Sequence, residues 1–237
     1  MKNKKKLVVL TGAGMSAESG ISTFRDSDGL WMNYPVEQVA TPEGYYANPQ
    51  LVLDFYNARR REVMKAQPNA GHLGLAALES DFDVRIITQN IDNLHERAGS
   101  TKVIHLHGEV MKACTMEDRE VTYDISPEQP DLHLGDTDPK GHQLRPYIVW
   151  FGEAVPMIEP AIDWVQESDI VVVIGTSLNV YPAAGLLNYV RNGQPIYLID
   201  PKEVKTYRTD VTHLKMGASE GVKRLTEILA ERQDHDK

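Results

Sequence analysis

Short unbroken apolar runs punctuate this chain, separated by longer stretches with apolar residues at every third or fourth position. The runs Lys6–Leu10, Val84–Thr88, Val103–Leu106, Tyr147–Trp150, Ile170–Gly175 and Ile196–Asp200 predict strands. Several are continuous Val/Ile/Leu, as expected where helices cover both faces of a sheet. Pro49–Met64, Ala70–Glu79, Glu159–Glu167, Ala183–Arg191 and Gly221–Ala230 predict helices. Strand and helix in alternation imply an α/β fold on a doubly wound parallel sheet. Two stretches break the rhythm. Gly20–Asn48, rich in Gly, Ser, Asp, Pro and Tyr, reads as a long functional loop. Thr115–Arg145, rich in Asp, Glu, Pro and Gly, reads as a small excursion from the sheet.

Composition narrows the function. With 25 basic against 34 acidic side chains, the formal charge is −9, which argues against nucleic acid as the main partner. Lys2, Lys4, Lys5 and Lys6 precede Leu7–Leu10 like the start of a signal peptide, but the apolar run stops at Thr11-Gly12, so a first strand is expected. No run approaches the ~20 apolar residues of a membrane span. The lone Cys114 excludes a disulfide framework and any metal site built from several cysteines. A globular cytoplasmic protein is the expectation.

The first strand runs into Thr11-Gly12-Ala13-Gly14-Met15-Ser16-Ala17, which fits G-x-G-x-x-G/A with Gly12, Gly14 and Ala17 in the special places. Such a loop turns tightly at the first glycine, lets backbone approach a pyrophosphate at the second, and packs helix on strand at the third, with helix amides facing the anion. Glycines also serve ordinary turns, so two readings stay open. No acidic residue follows a second strand about 20 residues on, where a dehydrogenase would grip ribose. Asp200, ending its strand, could do that from elsewhere.

Three further strand ends carry polar groups: Thr88-Gln89-Asn90-Ile91-Asp92-Asn93, Gly175-Thr176-Ser177 and His105-Leu106-His107-Gly108. Each alone suits a turn or cap; together they predict a shared site. His107 has a pKa range suited to accepting a hydroxyl proton, with Gly108 leaving room for substrate. His105 is expected to point the other way. Spacing alone leaves His107 as readily structural as catalytic.

The run Gly12-Ala13-Gly14-Met15-Ser16-Ala17-Glu18-Ser19-Gly20-Ile21-Ser22-Thr23-Phe24-Arg25 closely resembles the signature loop of sirtuins, the NAD-dependent protein-lysine deacylases. Thr88-Gln89-Asn90-Ile91-Asp92, His107-Gly108, Val149-Trp150-Phe151-Gly152-Glu153, Gly175-Thr176-Ser177 and Gly217-Ala218-Ser219 match further motifs in order. The resemblance implies a Rossmann-like NAD-binding domain (1–33, 69–112 and 147–237) with a small second domain formed by insertions. Residues 34–68 would be its helical part and 113–146 a remnant of a zinc ribbon. It implies cleavage of NAD with acyl transfer, giving free lysine, nicotinamide and O-acyl-ADP-ribose. His107 would be the general base. Gln89, Asn90, Ile91 and Asp92 would orient the nicotinamide end, Asn90 taking part in catalysis. Ala13, Phe24 and Arg25 would line the reactive end, and Gly175, Thr176, Ser177, Asp200 and Ala218 the adenosine side. Val149–Glu153 and the loop up to Val180 would hold an acyl-lysine peptide as an added strand. Two departures are noted: Asp200 stands where Asn is more frequent, and Ser22 replaces a frequent Pro, which should loosen the cofactor loop.

Within Pro49–Met64, the residues Val52, Tyr56, Arg59 and Val63 share one stripe, whereas Arg60 and Arg61 point elsewhere. A guanidinium in an apolar stripe either snorkels to the surface or wants an anion. Tyr56-x-x-Arg59 resembles the pair in sirtuins that accept acidic acyl groups, implying desuccinylation and demalonylation beside deacetylation. Gly44 would leave room for the longer chain.

Most sirtuins hold a structural zinc with four cysteines. Cys114 is the one possible member here, so zinc is expected to be absent, with Asp131–His142 mobile. Rival readings are NAD-dependent protein ADP-ribosyl transfer, a hydride-transferring dehydrogenase suggested by the glycine loop alone, and a non-catalytic NAD sensor.

Overall fold

A computed structural model of the chain describes residues 4–22, 34–178, 181–206 and 208–235. In chain order these form β1 (Lys6–Thr11), α1 (Ala13–Ala17), α2 (Val36–Val39), α3 (Pro42–Ala47), α4 (Pro49–Lys65), α5 (Ala70–Ala77), β2 (Asp83–Thr88), α6 (Leu94–Arg97) and β3 (Val103–His105). There follow β4 (Gly108–Thr115), β5 (Tyr123–Asp124), β6 (Leu144–Ile148), α7 (Ile158–Glu167), β7 (Ile170–Ile174), β8 (Ile196–Ile199), β9 (Val211–Leu214) and α8 (Ala218–His235).

The main sheet is parallel throughout, in the order β3-β2-β1-β7-β8-β9. This is the doubly wound arrangement read from the alternation of elements. Side chains alternate along a strand, and both faces are covered. Leu7 and Val9 of β1 enter a cluster with Leu75 of α5 and Val222, Leu225 and Leu229 of α8. Val8 and Leu10 enter the opposite cluster, with Ala161 and Val165 of α7 and Leu186 and Leu187. Burying each such large side chain contributes about 1.5–3 kcal/mol. Strand order reverses between β1 and β7, which opens the crevice where α/β sheets bind ligands.

A second, antiparallel sheet has the order β5-β4-β6. The strand expected at Tyr147–Trp150 is β6, which starts at Leu144 and pairs with β4 rather than joining the parallel sheet. Together with α2, α3 and α4 it encloses a third cluster that includes Val52, Tyr56, Ile148 and Trp150. Part of the expected loop Gly20–Asn48 is helical: Thr41 caps α3 by accepting the Gly44 N–H at 3.0 Å, and Asn48 caps α4 by accepting the Leu51 N–H at 3.1 Å. The helix expected at Ala183–Arg191 is a 3-10 segment, Ala183–Tyr189.

The excursion between β4 and β6 is tied to α4. Arg60 is fully buried (0%), and it donates through Nε to Val110 O at 2.6 Å and through Nη1 to Pro130 O at 2.6 Å and Asn57 Oδ1 at 2.8 Å. Asn57 donates to Leu132 O and accepts from Leu132 N–H, both at 2.9 Å, while Arg61 pairs with Asp131. The segment expected to be mobile is thus anchored at Pro130–Leu132. Arg60, which helical spacing places off the Val52–Val63 stripe, is a buried staple in its own right.

Candidate active site

The glycine loop folds backbone on backbone. A Cβ on Gly12 would lie 2.7 Å from Thr176 Cβ, and one on Gly14 would lie 2.7 Å from Gly175 Cα. Gly12 N–H donates to Ile174 O at 3.0 Å and Gly14 N–H to Gly175 O at 2.8 Å. Gly14 therefore packs against the β7 turn, and its amide is spent inside the protein rather than aimed at an anion. Ala17 is exposed, so the close helix–strand packing expected there falls to buried Met15 and Ser16. Ala13 sits partly exposed at the loop.

Behind the loop is a chain of polar groups. Asn90 Nδ2 donates to Gly12 O at 3.0 Å and to Ser16 Oγ at 3.1 Å, which leaves its Oδ1 available to a ligand. Ser16 Oγ donates to Asp92 Oδ2 at 2.8 Å, and Leu94 N–H donates to Asp92 Oδ1 at 3.1 Å. Burial pushes the Asp92 carboxyl up, and those two donors oppose the shift. Gln89 Nε2 donates to Thr176 Oγ1 at 3.1 Å, bridging the ends of β2 and β7. Ile91 O accepts the Val110 N–H at 2.9 Å, which ties this segment to β4. Ser16 was missed by motif reading; its place beside Asn90 and Asp92 becomes visible only once β1 and β2 lie side by side.

His107 follows β3, and its Nδ1 lies 3.0 Å from Gln89 O. A carbonyl only accepts, so Nδ1 carries the proton and Nε2 is left as a base. Burial lowers its pKa from the ordinary value, against a smaller upward pull from Gln89 O, which keeps the ring neutral near pH 7. Gly108 holds this turn: at φ +82°, a Cβ would lie 2.9 Å from the Tyr147 carbonyl carbon and 3.0 Å from Ile148 Cα. Val149 N–H donates to His107 O at 3.0 Å. His105 does not point the other way. Its Nδ1 contacts Asn90 O at 3.1 Å, one peptide from the carbonyl that His107 uses, because residues two apart in an extended segment share a side. What separates the two is Glu96, 2.7 Å from His105 Nε2. Burial pulls the His105 pKa down, but this pairing prevails and raises it.

The segment Val149–Glu153 splits by side chain. Trp150 is buried (2%) under the Arg145 guanidinium, 3.4 Å from the ring centroid. Glu153 pairs with Arg145 at 2.7 Å and accepts the Trp150 N–H at 2.8 Å. Glu153 N–H donates back to Trp150 O at 3.0 Å, so these two brace the segment internally. Phe151 and Gly152 are exposed and Val149 is partly so. Thr176 is buried, with Ser177 partly exposed beside it, and Asp200 Oδ1 accepts the Lys202 N–H at 2.8 Å at the end of β8. Ala218 is buried where α8 meets α5. Phe24, Arg25 and Val180 lie outside the described residues.

On α4, Val52, Tyr56, Arg59 and Val63 are all buried. Burial drives the Tyr56 hydroxyl well above its ordinary pKa, so it stays a neutral donor. Arg59 (6% exposed) has an internal partner, Glu62, at 2.8 Å. Gly44 makes no room for an acyl chain: a Cβ there would lie 2.5 Å from both Glu37 O and Gln38 O, so glycine is required by backbone contact within the small helical cluster.

The Sir2 family model matches residues 12–182. The chain belongs to the Sir2 family. It is 59% identical to the NAD-dependent protein deacylase of Bacteroides thetaiotaomicron, over 95% of this chain and 98% of that protein. It is 42% identical to the protein of the same name from Aquifex aeolicus, over 95% and 96%. Among solved structures, a Sir2 homologue in complex with NAD superposes with a TM-score of 0.85 at 39% identity, over 97% of this chain and 91% of that one.

The donor set fits the sugar end of a dinucleotide: Asn90 Oδ1 and His107 Nε2 are acceptors for hydroxyls, arranged around a glycine loop at the switch point. It does not fit a structural zinc. Cys114 is buried with its thiol pushed up to about 11 by burial, Sγ facing Pro146 O at 4.0 Å. No group of three His, Cys, Asp or Glu suited to an ion occurs among the described residues. Nor is any described helix long and apolar enough to cross a membrane.

Proposed function

We infer that this protein is an NAD-dependent protein-lysine deacylase. The observation that carries the reading is the 3.0 Å contact between His107 Nδ1 and Gln89 O: a carbonyl only accepts, so the proton is assigned to Nδ1 and Nε2 to the role of base in the crevice. NAD, when bound, supplies an electrophilic ribose carbon and nicotinamide as leaving group. Asn90 offers Oδ1 to a ribose hydroxyl, its amide being held by Gly12 O and Ser16 Oγ. Asp92 orients Ser16 and through it Asn90. His107 Nε2 would accept the proton of the ribose hydroxyl that takes over the acyl group, with one water consumed as free lysine is released and nicotinamide having left. The acyl-lysine backbone pairs along Val149–Gly152, next to the His107 carbonyl. The adenosine half lies toward Thr176, Ser177, Asp200 and Ala218. Phe24 and Arg25 belong to the reactive end and Val180 to the peptide edge on the strength of the motif resemblance.

The acyl range includes acidic chains. Tyr56 and Arg59 give a neutral donor and a guanidinium buried in one stripe of α4, with Tyr56 in the same cluster as Trp150. The fold dispenses with zinc because Arg60, Asn57 and Arg61 staple the β4–β6 excursion. The small domain is assigned to 34–68 and 113–146, with its sheet running past those bounds, since β4 begins at Gly108 and β6 ends at Ile148. A cytoplasmic location follows the supply of NAD inside cells. Nicotinamide release from NAD, with and without acetyl- and succinyl-lysine peptides, tests the reading. Release that ignores both peptides would overturn deacylation, and modified protein in place of O-acyl-ADP-ribose would make ADP-ribosyl transfer the activity.

A further inference from the structure

One carboxylate touches both the acyl stripe and the cofactor loop. Glu62, one turn beyond Arg59 on α4, accepts from Arg59 Nη1 at 2.8 Å through Oε2 and from the Ser22 N–H at 3.1 Å through Oε1. Its side chain is 24% exposed and that of Arg59 only 7%. Arg59 Nε is buried without a partner, so Glu62 fills only part of the guanidinium's hydrogen-bonding capacity. The fork of a guanidinium can hold a carboxylate at two points, and one point here is idle. Ser22 contributes because it is not proline: a proline would have no N–H to give. The Ser22 amide ties this end of the loop to α4.

We propose that Glu62 is a specificity-determining residue, an internal carboxylate that competes with acidic acyl groups for Arg59 and sets how strongly they are preferred over acetyl. This rests on the acidic-acyl reading given above. An incoming succinyl or malonyl carboxylate meets an arginine already neutralised, with a like charge beside it. Like charges sharing one cation in a poorly solvated site repel strongly. An acetyl group carries no charge and does not register Glu62 in this way. Ser22 holds the competitor in place, so the amide and the carboxylate act as one unit.

The test compares kcat/KM on succinyl- and acetyl-lysine peptides of one sequence, with NAD saturating. Glu62→Gln keeps an oxygen for the Ser22 N–H and removes the charge; it is expected to raise the succinyl-to-acetyl ratio about tenfold, mainly through KM. Ser22→Pro keeps both charges and deletes the tether; it is expected to raise the ratio about threefold, the value of one lost hydrogen bond, and it serves if Glu62→Gln does not fold. A purely structural role would move both peptides together. If neither variant raises the ratio while Arg59→Met lowers it, the assignment to Glu62 is overturned and the Arg59 reading stands. If Arg59→Met reduces both peptides equally, the acidic-acyl reading fails, and this inference with it.

Discussion

Gly108→Ala puts the most weight on the active-site geometry. Gly108 joins His107 to β4 with φ +82°, a region that costs an L-residue about 1–2 kcal/mol. The new methyl would also press on the rigid backbone of β6, 2.9 Å from the Tyr147 carbonyl carbon, an overpacking worth about 1–3 kcal/mol. The sum is about 3 kcal/mol, which for a domain of this size lowers Tm by roughly 6–12 °C. Gly193→Ala isolates the first contribution: it has φ +77° with nothing within 4 Å, so it should cost only about 1 kcal/mol. Relief of the clash moves the Gly108 backbone and, with it, the His107 ring off Gln89 O. A displacement approaching 1 Å costs about a hundredfold in rate. Thermal melts of both variants, followed by peptide-dependent nicotinamide release where both are folded, check this. If Gly108→Ala melted like Gly193→Ala and kept its kcat/KM, the close packing between His107 and β6 would not be what holds the base.

Other consequences follow from the buried polar groups. His72 and His95 pack edge to face with ring centroids 4.8 Å apart, and burial pulls His72 down to about 4 from an unfolded value near 6.5. Its unfolded form binds the proton first, so stability is complete above pH 6.5 and declines toward pH 4 by about 3 kcal/mol. Urea unfolding should show this decline, and His72→Asn should flatten it; an unaltered slope would remove His72 as its source. Arg60→Met leaves Val110 O and Pro130 O without their buried donor and should cost about 3 kcal/mol, with protease cleavage appearing around Pro130. Prolonged chelation should leave Tm unchanged, because side-chain staples hold the small sheet; a fall would restore a metal to it.

Most of the parallel sheet is readable because its strands are continuous apolar runs between helical patterns, and β1, β2, β7 and β8 lie within a residue or so of where those runs predict; β9 is not, because its Val-Thr-His-Leu run is short and only partly buried. β4 was not readable: Gly108–Thr115 mixes Lys, Glu, Met and Cys because one side faces a cluster and the other is partly exposed. Motifs located the crevice, since Gly12, Asn90, His107 and Thr176 all follow strand ends. They could not assign partners. Arg60 lies buried because carbonyls 50 and 70 residues away accept from it, a fact invisible to helical spacing. Gly44 and Gly14 illustrate the same limit: each is glycine on account of backbone approaching from elsewhere in the fold. Arg59 in its apolar stripe is paired with Glu62, three residues on, a partner that the stripe pattern does not point to.

The pH dependence of acyl transfer by the wild type and by His107→Ala tests the role of Nε2 most directly. A base that must be unprotonated gives a kcat/KM that falls on acidification through a pKa below the ordinary histidine value. The alanine variant should lose about 10²–10⁴-fold of deacylated peptide formation and lose that acid limb. A His107→Ala enzyme with wild-type turnover and the same acid limb would contradict the assignment of His107 as the base.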